Sequence, residues 1–488
     1  NGNQRLNCAP QGGEMADLRK QWLKVVNKHK LHPEGPANDR YWAPELETCP
    51  RDKIREIQEE KLLVSVKYLY EYSPFYREKF EKAKLHPTDI KSLDDLLKIP
   101  ITTKTEMVED VKANPPWGTY TAIDEHIWTH RGWMMFATSG TTAAPRAFRH
   151  TLHDRDIWAW NDARAMWAMG LRPGDSALIA FGYAPHVFFW GVHYALDLMG
   201  IPVISRGSLD TRRTAYFIDT FKPTILGATP SYALYLGDVM KEMGYDPAKS
   251  SIRLIVTGGE PGATIASTKR RIETLWNAEL HEFYGCTEAS PTAGGYTCHY
   301  QASRKDGPVS DHLMEDIQIW ETVDPQTLEP VPPGQRGLSV VTNLFSEAAP
   351  LVRFLVGDYT VLNYDPCPCG RTHALAVGGF YGRDDDMLNI RGVTVFPSAI
   401  EEVVRGFAEV GDEFQIVVAQ EKMLDVLTIV AEPRPEVPEK DYPALARRIQ
   451  NEVRAKVEVR PEVDLKPYGT LPKTEFKAKR VMDRRNVG

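Results

Sequence analysis

Residues 136–146, Phe-Ala-Thr-Ser-Gly-Thr-Thr-Ala-Ala-Pro-Arg, gather hydroxyls and a glycine behind an apolar run. Small side chains let main-chain N–H groups close on phosphate oxygens. The hydroxyls of Thr138, Ser139, Thr141 and Thr142 add donors, and Gly140 permits the backbone angles of a tight anion cradle. Arg146 adds a cation. No Gly-Lys-Ser/Thr closes the loop and no Rossmann glycine fingerprint accompanies it, so the phosphate chemistry is of neither of those kinds. A second group is Cys367-Pro-Cys369, which puts two thiols within reach of one metal, with Cys298 and His312 upstream to complete a tetrahedral Cys3His set. His299 competes with His312 for the fourth position. Four protein ligands leave no open place for water, so such a metal is structural. A third group is the aromatic stretch Tyr183-Ala-Pro-His186-Val-Phe188-Phe189-Trp190, whose rings suit a flat acyl group and whose His186 suits a polar substituent on it.

At 488 residues the chain exceeds one hydrophobic core, so two or more domains are expected. Lys plus Arg number 59 against 66 for Asp plus Glu, a net charge of -7 that gives no general attraction for nucleic acid or anionic membrane. The most apolar region, residues 177–204, is broken by Pro185, His186, His193, Asp197 and Pro202, and reads as buried strands and a helix instead of a membrane span. No basic, apolar and small-residue order of a secretion signal stands at the start, and a cytoplasmic protein is expected. The first methionine is Met15, which leaves the origin of residues 1–14 open. Six cysteines in this length do not make a disulfide scaffold.

From Met15 to about Phe80 apolar residues recur every three or four positions, which predicts an outer helical layer. Beyond Pro173-Gly174, short apolar runs at 177–181, 202–205, 224–228, 253–257 and 279–284 alternate with helical stretches, which predicts strand-helix-strand units and a largely parallel sheet. Polar breaks follow these runs at Thr229-Pro230, Gly259-Glu260-Pro261 and Tyr284-Gly-Cys-Thr287-Glu288, where open α/β sheets gather ligands. Past Gly337 the pattern predicts β-hairpins. After the acidic run Asp384-Asp385-Asp386 it predicts strands at 414–419 and 426–431 and a helix at 442–457. The expected fold is α/β: a large N-terminal domain, residues 1–381, with mostly parallel sheets plus a β-rich subdomain, a hinge at 382–386, and a small mobile α+β C-terminal domain, 387–488.

Taken in order, the Thr138–Arg146 loop, Tyr284-Gly-Cys-Thr-Glu288, Gly357-Asp358, Gly382-Arg383-Asp-Asp-Asp386 and the Lys-rich end resemble the adenylate-forming superfamily of acyl-coenzyme A ligases. Gly392-Val-Thr-Val-Phe-Pro397 and Gly469-Thr-Leu-Pro-Lys-Thr-Glu-Phe-Lys477 resemble its phenylacetate-coenzyme A ligase branch. The resemblance implies that Thr138, Ser139, Gly140, Thr141 and Thr142 embrace the β- and γ-phosphates of ATP, and that Gly259, Glu260, Pro261 and Tyr284 border adenine. Glu288 beside Thr287 holds Mg2+, Asp358 accepts from the ribose hydroxyls and Arg383 supports the nucleotide. Lys477, with Lys479 as a lesser candidate, bridges the carboxylate and α-phosphate. Asp385 is the hinge, and the face around Arg391-Gly392-Val393 serves thiolation. Tyr183, His186, Phe188 and Trp190 are the acyl-pocket candidates. Some members of the branch carry structural zinc, matching Cys298, His312, Cys367 and Cys369. Two positions depart from the pattern: Ala143 stands where the loop usually has glycine, and Phe476 where glycine precedes the lysine. The expected activity is ATP-dependent joining of an aromatic acid (phenylacetate, benzoate or phthalate type) to coenzyme A through an acyl-adenylate. The two other readings are an adenylating enzyme with an amine acceptor and a zinc-stapled binding protein without catalysis. Expected partners are the acid, ATP and coenzyme A, with no nucleic acid or membrane and with a homodimer left open.

Overall fold

The computed structural model describes residues 12–137, 147–183, 187–206, 210–288, 290–305, 307–382, 387–390, 393–421, 424–473 and 480–485. The strands in chain order are β1 Gly132–Ala137, β2 Ala147–Thr151, β3 Ala177–Ile179, β4 Val203–Ile204, β5 Ile225–Ala228, β6 Leu254–Gly258, β7 Glu279–Cys286, β8 Ser290–Tyr296, β9 Asp311–Leu313 and β10 Gln318–Val323. They continue with β11 Arg336–Asn343, β12 Phe354–Asn363, β13 Leu375–Ala376, β14 Leu388–Ile390, β15 Val393–Val395, β16 Val410–Glu421, β17 Leu424–Pro433, β18 Glu462–Leu465 and β19 Val481–Asp483. One 11-stranded sheet carries the order β10-β11-β12-β13-β9-β8-β7-β6-β5-β3-β4. Strands β4, β3, β5, β6 and β7 run parallel, and every pairing from β7 to β10 is antiparallel.

The parallel strands are apolar on both faces because helices cover both. Along them the side chains alternate: Ala177, Ile179, Ile225, Leu254 and Val256 enter one core, while Leu178, Leu226, Ile255 and Leu280 enter another. The helix Leu152–Met169 lies in the first core and starts where Thr151 and Asp154 cap each other. It ends at Gly170, whose left-handed backbone suits glycine. Helix Arg51–Tyr72 buries Ile54, Ile57, Leu62, Val66 and Leu69, the three-to-four spacing that marks an outer helical layer.

The β-rich region is continuous with the parallel strands, so the sheet is mixed, and its antiparallel part begins at β8, well before Gly337. The sequence of β8, Ser-Pro-Thr-Ala-Gly-Gly-Tyr, has the composition of a turn, and only pairing to β7 and β9 makes it a strand. A third core is drawn wholly from residues 388–481. There β16 and β17 form an antiparallel ribbon extended by β18 and β19, each parallel to its neighbour. Ile400 and Val404 of helix Pro397–Gly406, with Leu445, Ile449 and Val453 of helix Tyr442–Val457, supply its helical side. Among the described residues no helix is long and apolar enough to cross a membrane.

Candidate active site

Strands β3, β5, β6 and β7 end on one edge, and the polar breaks follow there: Tyr183 after β3, Thr229 after β5, Gly259-Glu260-Pro261 after β6, and Tyr284 to Glu288 at the end of β7. Thr229 caps helix Pro230–Glu242 by accepting from Tyr232 N at 3.2 Å, and Glu260 Oε1 accepts from Ser231 N at 2.8 Å in the same first turn. Burial, and then the charge of Glu401, push the Glu260 carboxyl up. Behind this turn the buried Glu282 carboxylate accepts from Gly262 N at 2.7 Å and Thr264 N at 3.3 Å, fixing the path of the chain after Pro261.

Tyr284 and Asp358, 74 residues apart, meet: the Tyr284 hydroxyl donates to Asp358 Oδ2 at 2.5 Å. Phe380 stacks on Tyr284 with centroids 3.3 Å apart and planes 10° apart, and Trp320 stands 6.2 Å from Tyr284. A fixed ring beside a carboxylate is a platform for a flat heterocycle carrying a diol, because the carboxylate only accepts and hydroxyls donate. Thr287 and Glu288 lie in the turn between β7 and β8, both half-buried.

On the same edge, Phe181 and Phe188 pack at 4.4 Å and Tyr183 and Phe189 at 4.0 Å, while the Trp190 indole donates to Tyr183 O at 2.7 Å. Helix Phe188–Leu198 lays Phe188 over Gly258, where a β-carbon would stand 2.8 Å from the ring. Only glycine admits this contact without displacement. A small apolar cavity runs beneath, lined by Ile179, Phe181, Phe188, Gly227 and Val256 among others.

The thiols gather elsewhere, at the antiparallel side. Sulfur atoms of Cys298, Cys367 and Cys369 and a ring nitrogen of His312 all lie within 4.8 Å of one another. His312 Nε2 is 3.5 Å from Cys369 Sγ, and Cys298, Cys367 and His312 are buried. Hydrogen bonds from Cys298 and Cys367, and then His312, hold the Cys369 thiol well below its ordinary value. The knuckle turns at Gly370, whose N–H donates to Cys367 O at 2.8 Å and where a β-carbon would strike the Tyr41 hydroxyl. Three soft sulfurs and one imidazole at this spacing are the donor set of a closed zinc site. His312 therefore lies with the cysteines, whereas His299 faces Glu279 at 2.8 Å.

The third core docks on the body through Arg271 of helix Ala266–Trp276. Its guanidinium donates to Phe407 O at 2.8 Å, Val410 O at 2.5 Å, Gly411 O at 2.9 Å and Asp412 Oδ1 at 2.9 Å. Nearby Arg480 donates to Glu413 Oε2 at 3.1 Å and to Ser231 Oγ, in the turn held by Glu260, at 3.2 Å.

Thr138, Ser139, Gly140, Thr141, Thr142, His186, Arg383, Asp385 and Lys477 lie outside the described residues, as do Ala143, Arg146, Arg391, Gly392, Phe476 and Lys479. The strands that bracket the Thr138 loop are described: β1 and β2 pair antiparallel up to Ala137 and Ala147, so its ends are held side by side. Sequence reasoning missed Phe380, Glu282 and Arg271. Gly378-Gly379 before Phe380 was a signal of tight backbone, but nothing in Lys269-Arg270-Arg271 marks the one arginine that turns inward.

The family model described as "AMP-binding enzyme" matches residues 47–342, and that described as "AMP-binding enzyme C-terminal domain" matches residues 392–485. The chain is 35% identical over 460 residues to a phenylacetate-coenzyme A ligase of Thermus thermophilus, covering 91% of this chain and 99% of that one. It is 34% identical over 445 residues to a phenylacetate-coenzyme A ligase of Aromatoleum evansii, covering 90% and 96%. Among solved structures, 2-hydroxyisobutyryl-CoA ligase in its postadenylation state with 2-HIB-AMP superposes with a TM-score of 0.86 at 32% identity, covering 93% of this chain and 94% of that one. The same enzyme in its thioesterification state gives 0.68 over equal coverage.

Proposed function

Because this chain belongs to the AMP-binding enzyme family and is an AMP-forming acyl-CoA ligase of the phenylacetate-coenzyme A ligase type, we propose that the acid it activates is aromatic and that the residues at the sheet edge divide the work. A carboxylate is a poor electrophile. Attack of its oxygen on the α-phosphorus of ATP expels pyrophosphate and leaves an acyl-adenylate, whose AMP a thiol then displaces to give the thioester. Two anions have to be brought together in the first step, which calls for donors and cations fixed in advance.

In this reading Tyr284 and the Gly259-Glu260-Pro261 turn border the adenine, Asp358 accepts from the ribose hydroxyls, and Thr138 to Thr142 hold the β- and γ-phosphates. Glu288 with Thr287 holds Mg2+, which supplies charge neutralisation on the phosphates when bound. Arg383 supports the nucleotide and Lys477 bridges the two reacting anions. Asp385 is the hinge between residues 1–381 and 387–488. The observation that carries this reading is the Tyr284–Asp358 hydrogen bond, which joins two motifs of the nucleotide site through a single contact. The higher superposition on the postadenylation state than on the thioesterification state supports assigning the present arrangement, with Arg271 seated against residues 407–412, to the adenylation half of the cycle. Cys298, His312, Cys367 and Cys369 would hold a structural zinc, supplying a crosslink and no reactivity.

The aromatic acid is supported by the rings of Phe181, Tyr183, Phe188 and Trp190 around the end of β3. A second reading, a small branched hydroxy acid, is favoured by the 2-hydroxyisobutyryl-CoA ligase neighbour. Acid-dependent turnover with phenylacetate, benzoate, phthalate isomers and 2-hydroxyisobutyrate at equal concentrations separates them. The proposal expects the highest kcat/KM for an aryl acid, and preference for 2-hydroxyisobutyrate would replace it with the second reading.

A further inference from the structure

Thr297, Cys298 and His299 follow β8 and face different ways: Cys298 enters the buried thiol cluster while His299 is exposed. On that outer side His299 Nδ1 approaches Glu279 Oε1 at 2.8 Å, and His281 Nε2 approaches the same oxygen at 3.0 Å. One donor atom from each of the three residues lies within 4.8 Å of the others. His281 is fully buried, and its Nε2 stands beside the Glu279 carboxylate but off the line of a well-formed hydrogen bond. Its other nitrogen, Nδ1, lies 3.2 Å from the carbonyl oxygen of Thr297.

A carbonyl oxygen only accepts, so the tautomer that serves this contact carries its proton on Nδ1 and leaves the Nε2 lone pair on the side of Glu279, while the Thr297 hydroxyl, 3.3 Å from Nδ1, serves the other tautomer. A lone pair held against an anion is repulsive, and either a proton on Nε2 or a metal ion bound by both groups relieves it. The same arrangement, one ring nitrogen donating to a carbonyl and the other turned to a shared point, is how metal-binding histidines are oriented. Zinc bonds of about 2.0–2.2 Å require tetrahedral donor atoms about 3.4 Å apart, so Glu279 and the imidazoles need open by only about half an ångström. His299, on the surface, has room to do so.

We propose that Glu279, His281 and His299 form a second metal site, for a late divalent transition cation such as Zn2+, separate from the thiol cluster and differing from it in kind. Two imidazoles and a carboxylate suit Zn2+, Ni2+ or Cu2+. Three protein ligands leave a position for water, so this ion exchanges, whereas the four-ligand cluster is closed. The site ties the first residue of β7 to the start of helix His299–Ala302, a few ångströms of chain from Cys298.

The test is zinc stoichiometry, by elemental analysis after equilibration with micromolar ZnCl2, on the tag-free full chain and on His299→Ala and Glu279→Gln. His299 is exposed, so its alanine variant keeps the fold, checked by its melting temperature. The expected result is one zinc fewer per chain in each variant than in the parent, with the lost ion being the one that a chromogenic chelator removes fastest. A Cys367→Ser, Cys369→Ser variant should lose the slow ion and keep the fast one. Equal zinc in the parent and in His299→Ala, whatever the total, would overturn the proposal.

Discussion

Replacing Arg271 by methionine should uncouple the two half-reactions. Methionine keeps the apolar stem and removes the guanidinium that donates to three carbonyls and to Asp412. Arg271 is largely buried, and desolvation draws its pKa down to about 10 even though Asp412 opposes this. Breaking a buried ion pair by removing one partner costs about 3–5 kcal/mol. Arg405 remains 3.9 Å from Asp412 and offsets part of the loss, so the lower end, about 3 kcal/mol, applies. At 1.36 kcal/mol per tenfold, that weakens the docked arrangement by roughly a hundredfold. The assay follows ATP-pyrophosphate exchange beside coenzyme A thiolysis of a supplied acyl-adenylate. Exchange should fall by up to that factor while thiolysis holds or rises. Equal losses in both, or no change in either, would refute the assignment of this contact to adenylation.

Three further outcomes follow from the site. Lys477→Ala should abolish pyrophosphate exchange yet spare thiolysis of supplied acyl-adenylate, and loss of both steps together would count against its bridging role. Phe188→Ala should shift the kcat/KM ratio toward bulkier ring-substituted acids by roughly tenfold or more, since it clears the space over Gly258; an unchanged ratio removes Phe188 from the acyl pocket. Docking should also depend on pH through Asp238, whose carboxyl is pushed up to about 6 by burial first and by Asp412 second. A carboxyl with a higher pKa docked than exposed binds more protons when docked, so the Asp238 contribution is fullest below about pH 4, weakens as pH rises to about 6 and is level above that. Asp412, held below its ordinary value mainly by Arg271 against the burial that pushes it up, weakens docking at the acid end. Proteolysis of the interdomain segment across pH 4–7 should show this dependence, and Asp238→Asn should flatten it. A dependence that survives in Asp238→Asn would assign it to another group.

The order of motifs was legible because each is local: a glycine and hydroxyl loop, a polar break after an apolar run, a thiol pair two residues apart. Their meeting was not. Tyr284 and Asp358 come together through register across β7, β8, β9, β13 and β12, a property of the whole sheet. His312 and His299 looked alike as partners for the cysteines, and the fold separates them because residues 298 and 299 turn to opposite sides. The antiparallel half of the sheet hid behind β8, whose turn-like composition carries no strand period. Arg271 stands beside two other cations, and only the carbonyls of residues 407–411 distinguish it.

The most direct measurement is ATP-pyrophosphate exchange with a panel of carboxylic acids, followed by addition of coenzyme A and quantitation of AMP and thioester. Exchange should depend on an aromatic acid and on Mg2+, with one AMP released for each aryl thioester formed. A folded enzyme that exchanges with no aromatic acid, or only with aliphatic ones, would contradict it.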